Sequence, residues 1–275
     1  MKIRQLILLA LLLLAASLFA KDYTEDNFFG ELQDLTTDRT KIELCREYYE
    51  NSTEMDIKRR VTGVWGQIDK ASLMLELEDK MKDDKKNKEN LYLYARQVED
   101  VPEAVKLGRK IIKLDETWEY GYRLVCAHYS QYLFTDSEYS AKLKKSYKKD
   151  KQYFETYKDF TTSDFLSQNV YLEYLKYENR ANEIFTYIAE ALEKKEPWIS
   201  TRDLVSYKVY FDADEQEVLN ILEKSFTEKR DGYTAEEISN MVDYTYLDIL
   251  KSNSKYIKAH DFADKIGRAS CRERV

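Results

Sequence analysis

Glycine and proline are scarce in this 275-residue chain, at 7 and 2, and so are cysteine and histidine, at 3 and 2. Each shortage excludes a chemistry. So few glycines leave no phosphate-cradling loop, and no G-x-x-x-x-G-K, H-E-x-x-H or G-x-S-x-G pattern occurs. Zinc needs about four converging ligands. Cys126-x-His128 is a bare pair whose members point in different directions on a helix, so His128 reads as structural. Asp212-Ala213-Asp214-Glu215 lacks the turn glycine and later bidentate glutamate of a calcium loop, and reads as a helix start. No catalytic residue, metal site or cofactor is expected.

Long apolar runs are equally rare. The one at Leu6 to Ala16 follows Lys2 and Arg4 and precedes Ser17 to Ala20 and the charged pair Lys21-Asp22. That order is the plan of a secretory signal peptide, so residues 1–20 are expected to be cleaved. A membrane-spanning helix needs roughly 20 apolar residues, which this run does not supply, and no span is expected in the mature chain. At the other end, residues 266–275 (IGRASCRERV) resemble the in-frame translation of a widely used sequencing adapter. The natural chain is expected to break off near Lys265, leaving 21–265 as one helical, repeat-like domain truncated at its C-terminus.

An excess of basic charge is missing too. Without Lys2, Arg4, Arg268, Arg272, Arg274 and Glu273, 39 Lys+Arg face 50 Asp+Glu, a net charge of −11 against −7 for the whole chain. Nucleic acid and anionic membrane both require a basic face, so neither is an expected partner. Lysines 142, 144, 145, 148, 149 and 151, interleaved with Tyr147, Tyr153 and Phe154, could combine phosphate contacts with stacking. Against the overall charge they read as a solvated helix face. Lys80 to Asn90 reads as a polar link. Outside the tail, Cys45 and Cys126 leave two readings open: a disulfide, permitted by export, or two thiols packed as small hydrophobes.

What is present is helical periodicity. Ile42, Cys45 and Tyr49, then Ile184, Ile188, Ala191 and Leu192, then Val218, Ile221, Leu222 and Phe226 recur three or four apart on one face. The β-rich stretch Leu204 to Phe211 also places Leu204, Tyr207, Tyr210 and Phe211 on one helical face, which predicts a helix. Asp100/Glu103, Ser200/Asp203, Asp214/Glu217 and Thr234/Glu237 have the spacing of capping boxes. Pro102 falls in a first turn and Gly232 after a last one, where each is favoured. Short links between short helices force neighbours to pack as hairpins.

From Leu91 to Leu133 the chain reads helix, tight turn, helix, short Asp115-Glu116-Thr117 link, helix. Ala104 is small where paired helices would touch, Leu114-Asp115 ends a helix, and Tyr122 and Tyr129 flank small Cys126. These residues resemble a tetratricopeptide repeat, a helix pair of about 34 residues. Glu116, Gly108 and Lys88 depart from that pattern, and Asp136 to Asn179 has no clean register, while Ile188-Ala189-Glu190 and Ile221-Leu222-Glu223 recur 33 residues apart. The resemblance implies an all-α fold, a right-handed stack of antiparallel helix pairs forming an α-solenoid.

In that family the first helix of each pair lines a concave groove. Carried over, the pattern places Arg96 and Gln97, and from the next helix Tyr120, Arg123 and Gln131, towards a groove. The 23 tyrosines suit such a surface, being large, rigid and amphipathic. The expected function is an exported, non-enzymatic scaffold or adaptor, periplasmic or extracellular in a bacterium, that binds a protein or peptide. The alternative is the helical N-terminal region of a larger exported enzyme or redox protein.

Overall fold

A computed structural model describes residues 21–160, 165–197, 199–229 and 232–266, so the expected signal peptide and all of the adapter-like tail except Ile266 lie outside the described residues. Helices and their connections make up the described residues, with no strand among them. The chain divides into two compact units, Met1–His128 and Tyr129–Val275. The first holds α1 (Glu25–Gln33), α2 (Asp38–Asn51), α3 (Met55–Ile68), α4 (Lys70–Asp83), α5 (Lys88–Ala95), α6 (Val101–Leu114) and most of α7 (Glu119–Tyr132). The second holds the end of α7, α8 (Ser140–Asp150), α9 (Gln152–Phe160), α10 (Phe165–Tyr177), α11 (Ala181–Glu193), α12 (Thr201–Tyr210), α13 (Glu215–Lys229), α14 (Ala235–Ser252) and α15 (Tyr256–Lys265). Within each unit helices pack on their neighbours in sequence, and α3 also touches α5 and α12 touches α14. Each unit is all-α, with the solenoid-like packing of successive helices by which short elements with little apolar surface bury it against their neighbours.

The expected start signals act as caps. Asp100 accepts from the N–H of Glu103 at 3.2 Å and Asp214 from that of Glu217 at 3.0 Å, while Ser200 with Asp203 and Thr234 with Glu237 form capping boxes. Pro102 lies in the first turn of α6. The segment 204–211 is helical as its apolar spacing predicts, but its buried face is set by Val205 and Val209, while Tyr210 stays 41% exposed. Aliphatic side chains from α13, α14 and α15 fill the space against the two valines, and tyrosines, with hydroxyls that need partners, are left at the edge. The polar stretch Lys80 to Asn90 is largely helix, since α4 runs to Asp83 and Asn87 caps α5 by accepting from the N–H of Asn90 at 3.0 Å.

Burial in the first unit centres on Trp65, Tyr48, Tyr92, Phe28, Leu73 and Leu77. At the α6–α7 crossing the backbones meet through glycine. A Cβ on Gly108 would stand 2.6 Å from Val125 Cγ2, and one on Gly121 would stand 3.2 Å from the Ile112 backbone nitrogen. That is the physical reason Gly108 departs from the repeat pattern: the neighbouring helix occupies the space an aromatic ring would need. In the second unit, rings of Tyr129, Tyr147, Phe154 and Tyr174 fill one cluster, and Val205, Val218, Leu222, Leu250 and Phe262 fill another.

The shortage of glycine shows in how helices end. Asn179, Lys195, Asp212 and Ser254 take φ values of 56°, 55°, 57° and 58°. After each, the next N–H reaches back five residues: Arg180 to Leu175 at 2.8 Å, Glu196 to Ala191 at 3.0 Å, Ala213 to Lys208 at 2.9 Å and Lys255 to Leu250 at 2.9 Å. This is the left-handed C-cap at which glycine is usual, here closed four times without it; Gly232, φ 86°, is the glycine with positive φ.

Two glycine changes of opposite sign follow. Lys195→Gly removes a left-handed side chain and is expected to stabilise by about 0.5–1 kcal/mol. Gly108→Ala puts a Cβ onto Val125 and is expected to cost about 1–3 kcal/mol. Urea unfolding of both variants checks the signs, and an unchanged Gly108→Ala midpoint would refute the close crossing.

Candidate functional site

Helices α3, α5 and α7, alternate members of the first unit, bring guanidinium and phenol groups together. Asp56 and Arg59 lie in the first turns of α3, Tyr92 in α5 with Arg96 as its C-terminal cap, and Tyr120 and Arg123 in the first turns of α7. Arg96 donates from Nη1 to the Arg59 carbonyl at 2.9 Å, and its guanidinium lies 5.8 Å from the centre of the Tyr92 ring. Tyr92 meets Tyr120 edge-on at 5.2 Å, and Trp118 flanks both at 5.8 and 5.1 Å. Arg59 donates from Nε to Asp56 at 3.1 Å, and burial together with the same carboxylate raises the pKa of the Tyr120 hydroxyl.

The electrostatics are those of a crowded, partly dry cationic patch. Burial lowers the Arg96 pKa below its ordinary value, and the positive charges of Arg59 and Arg123 lower it further, against Tyr92 and Asp56. Burial likewise raises the Tyr120 hydroxyl, with Asp56 and Glu119 adding to it. Arginine stays charged at any physiological pH. Of the three guanidiniums, that of Arg59 pairs with the Asp56 carboxylate and that of Arg96 donates to the Arg59 carbonyl. Tyr92, Tyr120 and Arg123 form a floor only 2%, 8% and 9% exposed, and the Asp56 side chain forms a rim 55% exposed.

Of the groove residues expected from sequence, Arg96, Tyr120 and Arg123 come together here. Gln97 does not join them; its Oε1 lies 3.0 Å from where Gly66 would carry a Cβ, seated against the backbone of α3. Gln131 is exposed in the second unit, its carbonyl accepting from the Thr135 hydroxyl at 2.5 Å. Sequence reasoning did not reach Asp56, Arg59 or Tyr92. Carrying the Arg96 position back by the 37 residues that separate it from Arg59 would have found Arg59 alone.

The cysteines answer the question their number raised. Cys45 and Cys126 are buried thiols rather than halves of a bridge, each packed as a small hydrophobe, and burial pushes the Cys45 pKa up to about 12. His128 shares a 2.7 Å hydrogen bond between Nδ1 and the Leu124 carbonyl, and burial holds its pKa below the ordinary value. Among the described residues, no group of three His, Cys, Asp or Glu could hold a metal ion, and no helix is long and apolar enough to cross a membrane.

A second ionic centre lies in the other unit. Glu155 on α9 accepts from Arg180 Nη1 at 2.6 Å, Lys158 Nζ at 3.1 Å, and the hydroxyls of Tyr171 and Tyr174 at 3.0 and 3.2 Å. Burial alone would raise its pKa, yet these donors outweigh it and hold the carboxyl at about 2. The folded value lies below the unfolded one of about 4.3, so the unfolded chain binds more protons between them. The stabilisation is present above the unfolded pKa and lost as pH falls towards the folded one. Glu155→Gln is expected to cost roughly 1–2 kcal/mol at pH 7 after allowance for solvent screening. Urea midpoints at pH 7 and pH 2.5 check this, because the gap from wild type must shrink in acid; a gap independent of pH would contradict the ionic origin.

Neither a known family, a curated protein nor a solved structure matches this chain, so its own geometry stands as the guide to function.

Proposed function

We propose that this protein is an exported scaffold or adaptor, tetratricopeptide-like in its helix pairs, that binds a protein or peptide through an anionic group. The observation that carries the reading is the convergence of Arg59, Arg96 and Arg123 from alternate helices around Tyr92, whose ring meets Tyr120 edge-on. Guanidinium groups recognise carboxylates through paired, charge-assisted hydrogen bonds, and a partly desolvated setting strengthens each. Asp56 then acts as the internal counter-charge that an incoming carboxylate displaces from Arg59. Export is supported by Lys2 and Arg4 ahead of the Leu6–Ala16 run, and the repeat by Ala104, fully buried in the first turn of α6.

The test is a fluorescence-polarisation panel of labelled peptides bearing Asp or Glu, each beside its Asn or Gln counterpart, at low and high salt. Acidic peptides are expected to bind at least about tenfold more tightly than their neutral counterparts, with the preference reduced by salt. The double variant Arg59→Gln/Arg96→Gln should lose that preference while its helical circular dichroism is kept. Equal binding of acidic and neutral peptides would sink the proposal.

A further inference from the structure

In the second unit, α8 and the end of α10 border a cavity of about 450 Å³ lined by Lys144, Tyr147, Lys148, Lys151, Tyr177 and Glu178. That volume lies in the range of small-molecule sites. Its one carboxylate is already engaged: Glu178 accepts from the Tyr147 hydroxyl and from Lys151 Nζ, both at 2.9 Å. Burial would raise the Glu178 pKa, and these two donors bring it below the ordinary value, so it stays a fixed anion with its own cation. Lys144 and Lys148 remain. They are exposed, one turn apart on the same face of α8, and neither forms an ion pair among the described residues.

The helix gives these two lysines no internal relief. Lysines occupy positions 142, 144, 145, 148 and 149, while its one acid, Asp150, is buried and accepts from the Tyr129 hydroxyl at 2.5 Å. Like charges one turn apart repel. The macrodipole favours Lys148 and Lys149 in the last turn but does not reach Lys144 in the middle. Beside the two ammonium groups lies a fixed aromatic wall. Tyr177 is 38% exposed, stacked on half-buried Phe134 at 4.4 Å and edge-on to buried Tyr147 at 5.5 Å, so its position is set by these two rings.

We propose that this cavity binds a small organic anion, with a flat apolar body against Tyr177 and a phosphate, sulfonate or carboxylate held between Lys144 and Lys148. Two unpaired cations supply the attraction, and the rigid ring supplies contact area at little entropic cost. The site stands apart from the arginine cluster of the first unit and does not depend on it.

Isothermal titration of the whole chain at low salt, with phenyl phosphate, inorganic phosphate and benzyl alcohol as probes, tests both halves of the site. Phenyl phosphate is expected to bind at least about tenfold more tightly than either fragment, since each fragment lacks one half of the recognition. Lys144→Gln/Lys148→Gln changes only exposed side chains and should weaken phenyl phosphate by about tenfold or more. Tyr177→Leu should weaken it by about fivefold and leave inorganic phosphate unchanged. No binding of phenyl phosphate by wild type at 5 mM (roughly −3 kcal/mol) overturns the proposal. So does binding that survives the double lysine change, or inorganic phosphate binding as tightly as phenyl phosphate.

Discussion

A tyrosine ring can be buried at a gain only if its hydroxyl finds a partner, and this chain buries many. Tyr48 donates to Glu31 at 2.8 Å, Tyr49 to Asn90 at 3.2 Å, Tyr129 to Asp150 at 2.5 Å and Tyr147 to Glu178 at 2.9 Å. Tyr171 and Tyr174 share Glu155. Most of these partners are carboxylates, and several fix a cation in turn: Lys21 on Glu31, Lys151 on Glu178 and Arg180 on Glu155. The modules around Glu31, Glu155 and Glu178 therefore run from a core ring through a hydroxyl and a carboxylate to a cation.

That chain of dependence explains the paired directions of the ionisation shifts. Burial and a neighbouring carboxylate raise Tyr48, Tyr147 and Tyr171, while the same hydrogen bonds lower Glu31, Glu155 and Glu178 against their own burial. It also locates the two candidate sites. Where carboxylates and cations balance, as around Glu155, the assembly is structural. At Arg59, Arg96 and Arg123 like charges are crowded together, and at Lys144 and Lys148 charge is left over to meet something else. On a chain of net charge −7 such local surpluses stand against the prevailing sign.

Much of the fold was legible because its signals are local. Capping pairs act within one helical turn, so Asp100/Glu103 and Thr234/Glu237 could be read without tertiary knowledge. The candidate site was legible only in part. Arg96, Tyr120 and Arg123 were read from one repeat pattern, which a shift of 37 residues extends to Arg59, but Asp56 and Tyr92 depend on how α3 and α5 approach, which no local signal carries. The seat of Gln97, against the bare backbone at Gly66, is likewise tertiary information. The lysine stretch of α8 was correctly read as exposed, yet the cavity beside it requires Tyr177 and Glu178, some thirty residues further on.

The sequence by itself determined an all-α chain of short capped helices, the absence of strand periodicity, and an acidic surface, because propensity, spacing and charge are properties of neighbouring residues. Only the tertiary structure decided which hydroxyl meets which carboxylate, that Val205 and Val209 rather than the flanking tyrosines face inward, and that Cys45 and Cys126 stay apart as thiols. Those choices depend on which side chains fill a given space most completely, a property of the packed neighbours that no single helix encodes.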